Sequence, residues 1–265
     1  YPSGAQSVGA LYGGGSIDRK TAKRLLLFCN NCGPAFIFGV VGPSVFGSSL
    51  AGLLLYLVHV ASSLLLGIFV RKSGHMQERT AQDAENVPSV SFSSALTASV
   101  KKSGQTALEV CMFVVVFGVV TAMVQTALRP VLPDWALVIV SGLLELSGGA
   151  SALAEAAMPQ GVKFALASFF LAFGGLSVHA QTKAVLSSAG LDCLPVFFPK
   201  LLHALLAGVL SLPVYALFRA QLEAAQVFLP QAPALLLPAM ELMLCAAICL
   251  AFRKMAGSNL RRDRV

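Results

Sequence analysis

The chain has 265 residues, 56% of them hydrophobic and 12% charged, with a formal net charge of +7. A soluble domain carries about 25% charged residues, so water is excluded as the solvent for most of this surface and a bilayer takes its place. The basic residues sit in short runs at the ends of apolar segments, with no stripe interleaved with exposed aromatics, which excludes nucleic acid as a partner.

Tyr1 opens the chain without a Met and leads into Pro2-Ser3-Gly4-Ala5-Gln6 with no signal-peptide pattern, so the natural N-terminus is expected upstream. A first polar break follows at Cys29-Asn30-Asn31-Cys32-Gly33-Pro34. Leu50–Val70 is a continuous apolar run closed by Arg71-Lys72, and at 1.5 Å per residue it covers the roughly 30 Å hydrocarbon core. Residues 71–104 are polar, with a short interfacial helix expected around 94–104 before the next span, Val110–Leu128.

Between Trp135 and Met158 the apolar run meets Glu145 after ten residues, about half a membrane, and then Ser147-Gly148-Gly149. Two short arms around a polar tip predict a re-entrant hairpin over 135–158. Residues 161–189 predict a helix broken from Gly174 to Gln181, where polar groups occur that lipid exposure would penalise. Residues 194–218 and 235–252 predict two further spans, and a basic tail ends the chain.

Positive-inside bias places both the 71–104 loop and the C-terminal tail in the cytoplasm. Five apolar segments separate them, so one must return to its own side, and the interrupted hairpin is the shortest. A shift of 141 residues sets Gly33 on Gly174, Leu64-Leu65 on Leu205-Leu206 and Gly67 on Gly208, while a shift of 145 sets Gly4-Ala5 on Gly149-Ala150. The expected organisation is a first repeat half (1–70), a cytoplasmic loop and interfacial helix (71–105), a second half (106–218) and an extra helix with the tail (219–265). With three crossings between their ends the halves are inverted, as in many secondary transporters.

Four polar breaks would then meet near the midplane and suit a small polar solute, with a coupling ion open. The candidate binding residues are Ser3, Gln6, Asn30, Asn31, Glu145, Ser147, Ser151, Ser177, His179 and Gln181. Glu145 is the sharpest, because an intramembrane carboxylate is costly; it is expected to bind solute, couple protons or pair with His179, against the plainer reading that it hydrogen-bonds backbone at the hairpin tip. Lys200 is expected to snorkel to the interface and His203 to pack in the bundle, while mid-span His59 either lines a cavity or hydrogen-bonds a neighbouring helix. Six scattered cysteines make no disulfide framework, and Cys29 and Cys32 lack a second Cys pair for a metal site. No nucleotide-binding glycine loop or zinc-ligand set occurs, so no cofactor is expected. Glu145 and His179 acting as acid and base lack a nucleophile, so an enzyme is not expected either.

The segment from Tyr1 to Ser48, with Phe28-Cys29-Asn30-Asn31 and Pro34-Ala35-Phe36-Ile37 at its heart, resembles the sporulation integral membrane protein YlbJ family. Leu143-Leu144-Glu145-Leu146-Ser147-Gly148-Gly149 and Phe173–Gln181 look like its second-half counterparts. The resemblance implies an all-α, polytopic fold with inverted repeats, re-entrant hairpins and broken helices, like that of concentrative nucleoside transporters within the nucleoside-recognition or gate-domain group. It implies a bacterial cell-membrane protein linked to spore cortex formation, longer at its N-terminus, with no substrate supplied. The two readings are a transporter-like protein that binds or moves a small polar solute, and a non-transporting structural or partner-binding protein of the sporulating cell. The lipid bilayer is the certain partner, and a homo-oligomer is left open.

Overall fold

The computed structural model describes residues 2–71, 91–191 and 194–225. The expected 235–252 span, the basic tail and most of the 71–104 loop lie outside these residues. Every regular element among the described residues is helical. Among the described residues, five helical segments are long and apolar enough to cross a membrane: Arg19–Phe46, Ser49–Phe69, Phe92–Leu128, Gln160–Ser188 and Val196–Ala224. The chain is a multi-pass helical membrane protein.

The chain begins with α1 (Ser3–Gly13) and α2 (Arg19–Cys29), the latter opened by Asp18, whose carboxylate accepts from the Thr21 N–H at 2.8 Å. Cys29 ends α2, and Pro34 restarts the helix as α3 (Pro34–Phe36) because its fixed φ and missing N–H suit a first turn. A π-helical stretch, Ile37–Val41, carries α3 into α4 (Gly42–Phe46), and α5 (Ser49–Arg71) follows. The second part runs α6 (Phe92–Leu128), α7 (Asp134–Leu144), α8 (Leu146–Glu155), α9 (Gln160–Phe173), α10 (Gly175–Ser188) and α11 (Leu194–Ala225). Helix α11 packs along α9 and α5.

The expected interfacial helix is not a separate element. Residues 94–104 belong to the 37-residue α6, about 55 Å long, so the boundary drawn at 105 falls inside one helix. No proline or glycine pair interrupts this stretch, and the Ser91 side chain caps its start by accepting from the Ser94 N–H. Among the described residues of α6 only Thr121 is buried, so this helix lies at the edge of the fold.

The polar breaks are also narrower than composition suggests. Ser3–Gln6 lies within α1, Ser147–Ser151 within α8, and Ser177, His179 and Gln181 within α10. What interrupts the helices is Asn30–Gly33, the single extended residue Glu145 (φ −146°, ψ 129°), and Gly174 and Gly175 at φ of 84° and 73°. Small polar residues do not unwind a helix by themselves. A side-chain cap, or glycine in the left-handed region, does.

The hairpin of α7 and α8 closes on two glycines. A Cβ on Gly149 would clash with the Gly142 Cα, and one on Gly142 would clash with the Phe170 ring of α9. Such close backbone approach is how small residues hold helices together where lipid offers no hydrophobic gain. Gly149→Val is therefore expected to force the arms apart and cost about 1–3 kcal/mol, as overpacking does. Gly118→Ala, facing open space on α6, is the control and should cost nothing. Reversible unfolding in mixed micelles measures both, and equal stability of the two variants would refute the close-packed hairpin.

Candidate functional site

A helix interrupted inside a bilayer releases backbone groups that lipid cannot satisfy. At the first break the partners come from side chains. The Phe28 carbonyl, freed at the end of α2, accepts from Asn31 Nδ2 at 2.7 Å and from Ser63 Oγ at 2.8 Å. The Cys32 N–H donates to His59 Nε2 at 3.2 Å. Helix α5 thus supplies Ser63 and His59 to a break 27 to 35 residues earlier in the chain.

Two further bonds tie this break to the second part of the chain. Asn30 Nδ2 donates to Thr182 Oγ1 of α10 at 2.9 Å, and Lys200 Nζ of α11 donates to Asn31 Oδ1 at 3.2 Å. The same face of α11 carries His203 one turn on; its Nε2 lies 3.0 Å from Ser62 Oγ and 3.2 Å from the His59 carbonyl. The His59 and His203 rings are 5.0 Å apart. Asn30, His59, Lys200 and His203 are each at most 2% exposed.

Lys200 therefore does not snorkel. Its position seven residues into α11 looks like an interfacial one, but the start of α11 abuts the Asn30–Asn31 break, and the amide oxygen of Asn31 draws the ammonium inward. His203 is packed in the bundle as expected, with His59 buried beside it, and both belong to the polar network.

Glu145 is buried, and its Oε2 accepts from the Gly148 N–H at 2.6 Å as the N-cap of α8. A carboxylate at a helix N-terminus meets both an unsatisfied donor and the positive end of the dipole. This is the plainer of the two roles expected for it. Gly175 presses on the same tip: a Cβ there would lie 3.1 Å from the Leu144 carbonyl.

The other candidates divide among three places. Ser177 and Gln181 are buried on α10, where Gln181 Nε2 donates to Ser177 Oγ at 3.2 Å; His179 is half-buried between the Phe173 and Phe197 rings. On α1, Gln6 lines two clefts of about 670 and 730 Å³ facing α6 and Ser3 lines the second, and Gln6 Nε2 donates to Thr106 Oγ1 at 2.7 Å across them. Ser151, exposed, lines a third cleft of about 780 Å³ with Gln125, Arg129 and Asp134, while Ser147 is half-buried on α8. The structure joins Asn30 to α10 and Asn31 to α5 and α11, and leaves Ser3, Gln6 and Ser151 outside that network.

Sequence reasoning missed Thr182, Ser62 and Ser63 and misread Lys200. The signal was periodicity: His59, Ser62 and Ser63, and likewise Lys200 and His203, fall three or four residues apart, one polar stripe on an otherwise apolar span.

Two stability tests follow from this geometry. Removing the Asn31 amide should cost about 1–3 kcal/mol, because it strips acceptor and donor from buried partners at once. In a cycle of Asn31→Ala with Lys200→Met the two changes should couple by about 1 kcal/mol, and additivity within about 0.5 kcal/mol would refute the Asn31–Lys200 bond. At the hairpin, Glu145→Ala should cost about 1 kcal/mol and Glu145→Asn, a good cap, much less. Equal losses in the two variants would mean that Glu145 does more than cap α8.

No protein-family model matches the chain, and no solved structure matches it. The sporulation integral membrane protein YlbJ of Bacillus subtilis (strain 168) is 28% identical over 241 residues, which cover 78% of this chain and 59% of that protein. The chain thus spans less than two thirds of that relative's length. Over most of its own length the chain is thus similar to that sporulation integral membrane protein.

Proposed function

We propose that this chain is the membrane core of a sporulation protein that binds a small polar solute at the Asn30–Asn31 break, with transport as its activity. The observation that carries the reading is the network itself. Side chains from α5, α10 and α11 converge on an unwound segment, and among the described residues Asn30 Oδ1 and Gln181 Oε1 are buried without a hydrogen-bond partner. Buried polar atoms are otherwise nearly always bonded, so such groups mark places where a ligand or water is missing.

The order of elements supports a transporter-like repeat. Adding 141 to the first residues of α2 and α3, 19 and 34, gives 160 and 175, the first residues of α9 and α10. The same shift carries Phe28 and Gly67 onto Phe169 and Gly208, and both are packed pairs. A Cβ on Gly67 would lie 3.3 Å from the Phe28 ring, and one on Gly208 would lie 3.8 Å from the Phe169 Cβ. In this reading the halves are inverted, and α7 with α8 forms the re-entrant hairpin. Positive-inside bias from Lys101 and Lys102 supports a start of α6 on the cytoplasmic side, the side expected for the C-terminal tail in this reading.

A second reading, a non-transporting structural or partner-binding protein of the sporulating cell, draws support from Glu145. Its carboxylate caps α8 at 2.6 Å, which leaves the sharpest candidate with a structural task.

Uptake of candidate polar solutes into proteoliposomes separates the two. Asn30→Ala and Asn31→Ala should lower uptake at least tenfold while Glu145→Asn retains most of it. Uptake unchanged in both Asn variants would sink the proposed site, and no uptake of any solute by the unaltered protein would favour the second reading.

A further inference from the structure

The two buried histidines carry information beyond their place in the network. His59 Nε2 accepts from the Cys32 N–H, a backbone donor with no alternative role, so this nitrogen bears no proton. A neutral His59 must then carry its proton on Nδ1, and that N–H is buried with no partner among the described residues.

His203 is constrained in the opposite sense. Its Nε2 faces the His59 carbonyl, which can only accept, and Ser62 Oγ, whose own hydrogen is directed at that same carbonyl at 3.0 Å. His203 Nε2 is therefore the donor, and Nδ1 is left as a bare acceptor, again buried and unpartnered among the described residues. His59 and His203 are 1% and 0% exposed, so neither Nδ1 is served by bulk solvent.

We propose that His59 and His203 are held in opposite neutral tautomers and that one hydroxyl bridges their Nδ1 atoms, its oxygen accepting from the His59 Nδ1–H and its hydrogen donated to the bare His203 Nδ1. One buried donor and one buried acceptor sit on rings 5.0 Å apart. A hydroxyl or a water both donates and accepts, and is the smallest group that satisfies the pair. A carboxylate or phosphate would meet the His203 lone pair unfavourably, and an ammonium the His59 N–H. The chemistry is that of a neutral hydroxyl, from a trapped water or from an alcohol group of a solute. This deepens the polar-solute reading above and rests on it only for the second source.

The chain has four histidines, so 15N-histidine NMR of the full chain in phosphatidylcholine nanodiscs is assignable from single variants. At neutral pH His59 should show the Nδ1–H tautomer and His203 the Nε2–H tautomer. The same tautomer on both rings, or a charged ring on either, overturns the proposal.

Glycerol serves as the alcohol probe. Magnetisation transfer from water to the His59 Nδ1–H identifies a bound water, and a glycerol-dependent shift of both Nδ1 resonances identifies a solute hydroxyl. Either outcome supports the site, and the absence of both overturns it. His203→Phe, which keeps a ring and removes the acceptor, should weaken the glycerol response at least tenfold; an undiminished response overturns the assignment of His203. The tautomers are read without any transport assay, so absent uptake with opposite tautomers would count against transport alone.

Discussion

Every backbone N–H and C=O that leaves a helix inside the hydrocarbon core must find a partner within the protein, and the arrangement of this chain follows from how it meets that demand. Three interruptions meet it in three ways. Glu145 bends the chain for one residue and caps the next helix with its own carboxylate. Gly174 ends α9 in the left-handed conformation and returns its N–H to the Phe170 carbonyl at 2.8 Å. Asn30–Gly33 is too long for a local solution and borrows Ser63 and His59 from α5.

The borrowed solution has consequences for packing. A break served by side chains from other helices cannot move independently of them, so α5 and α11 are tied to it by Asn31, Lys200, His59 and His203. The two local solutions leave their helices free to approach by shape alone, and there glycine takes over: Gly142, Gly149 and Gly175 let the hairpin tip lie against α9 and the start of α10. Close backbone contact is not confined to the hairpin, because a Cβ on Gly4 of α1 would press on the Cys29 carbonyl and the Asn30 Cα at the first break. Among the described residues, Asn30 Oδ1 and the Nδ1 atoms of His59 and His203 are buried without a partner at the polar break.

Much of this was legible residue by residue. Asn30-Asn31, Glu145 and Gly174-Gly175 each announce a break because an amide, a carboxylate or a glycine pair inside an apolar run has a specific cost or conformational freedom. The extent of each break was not legible. Ser, Gly and Ala are compatible with helix and with loop alike, so Ser147–Ser151 and Ser177–Gln181 became helical once a cap or a left-handed glycine had absorbed the turn. The interfacial helix expected before Val110 merged into α6 for a related reason: composition marks a change of solvent along a helix, not an end to it.

The membrane class and the polar positions inside the spans were determined by the sequence alone, because hydropathy and spacing are properties of the chain in any conformation. Which polar residues meet was decided only by tertiary structure. Asn30 finds Thr182 across 152 residues and Lys200 reaches Asn31 across 169. No local pattern encodes a separation of that size. The direction of Lys200 is the clearest case: near the end of a span a lysine can turn to water or to the bundle, and the amide of Asn31 at the neighbouring break settles it inward.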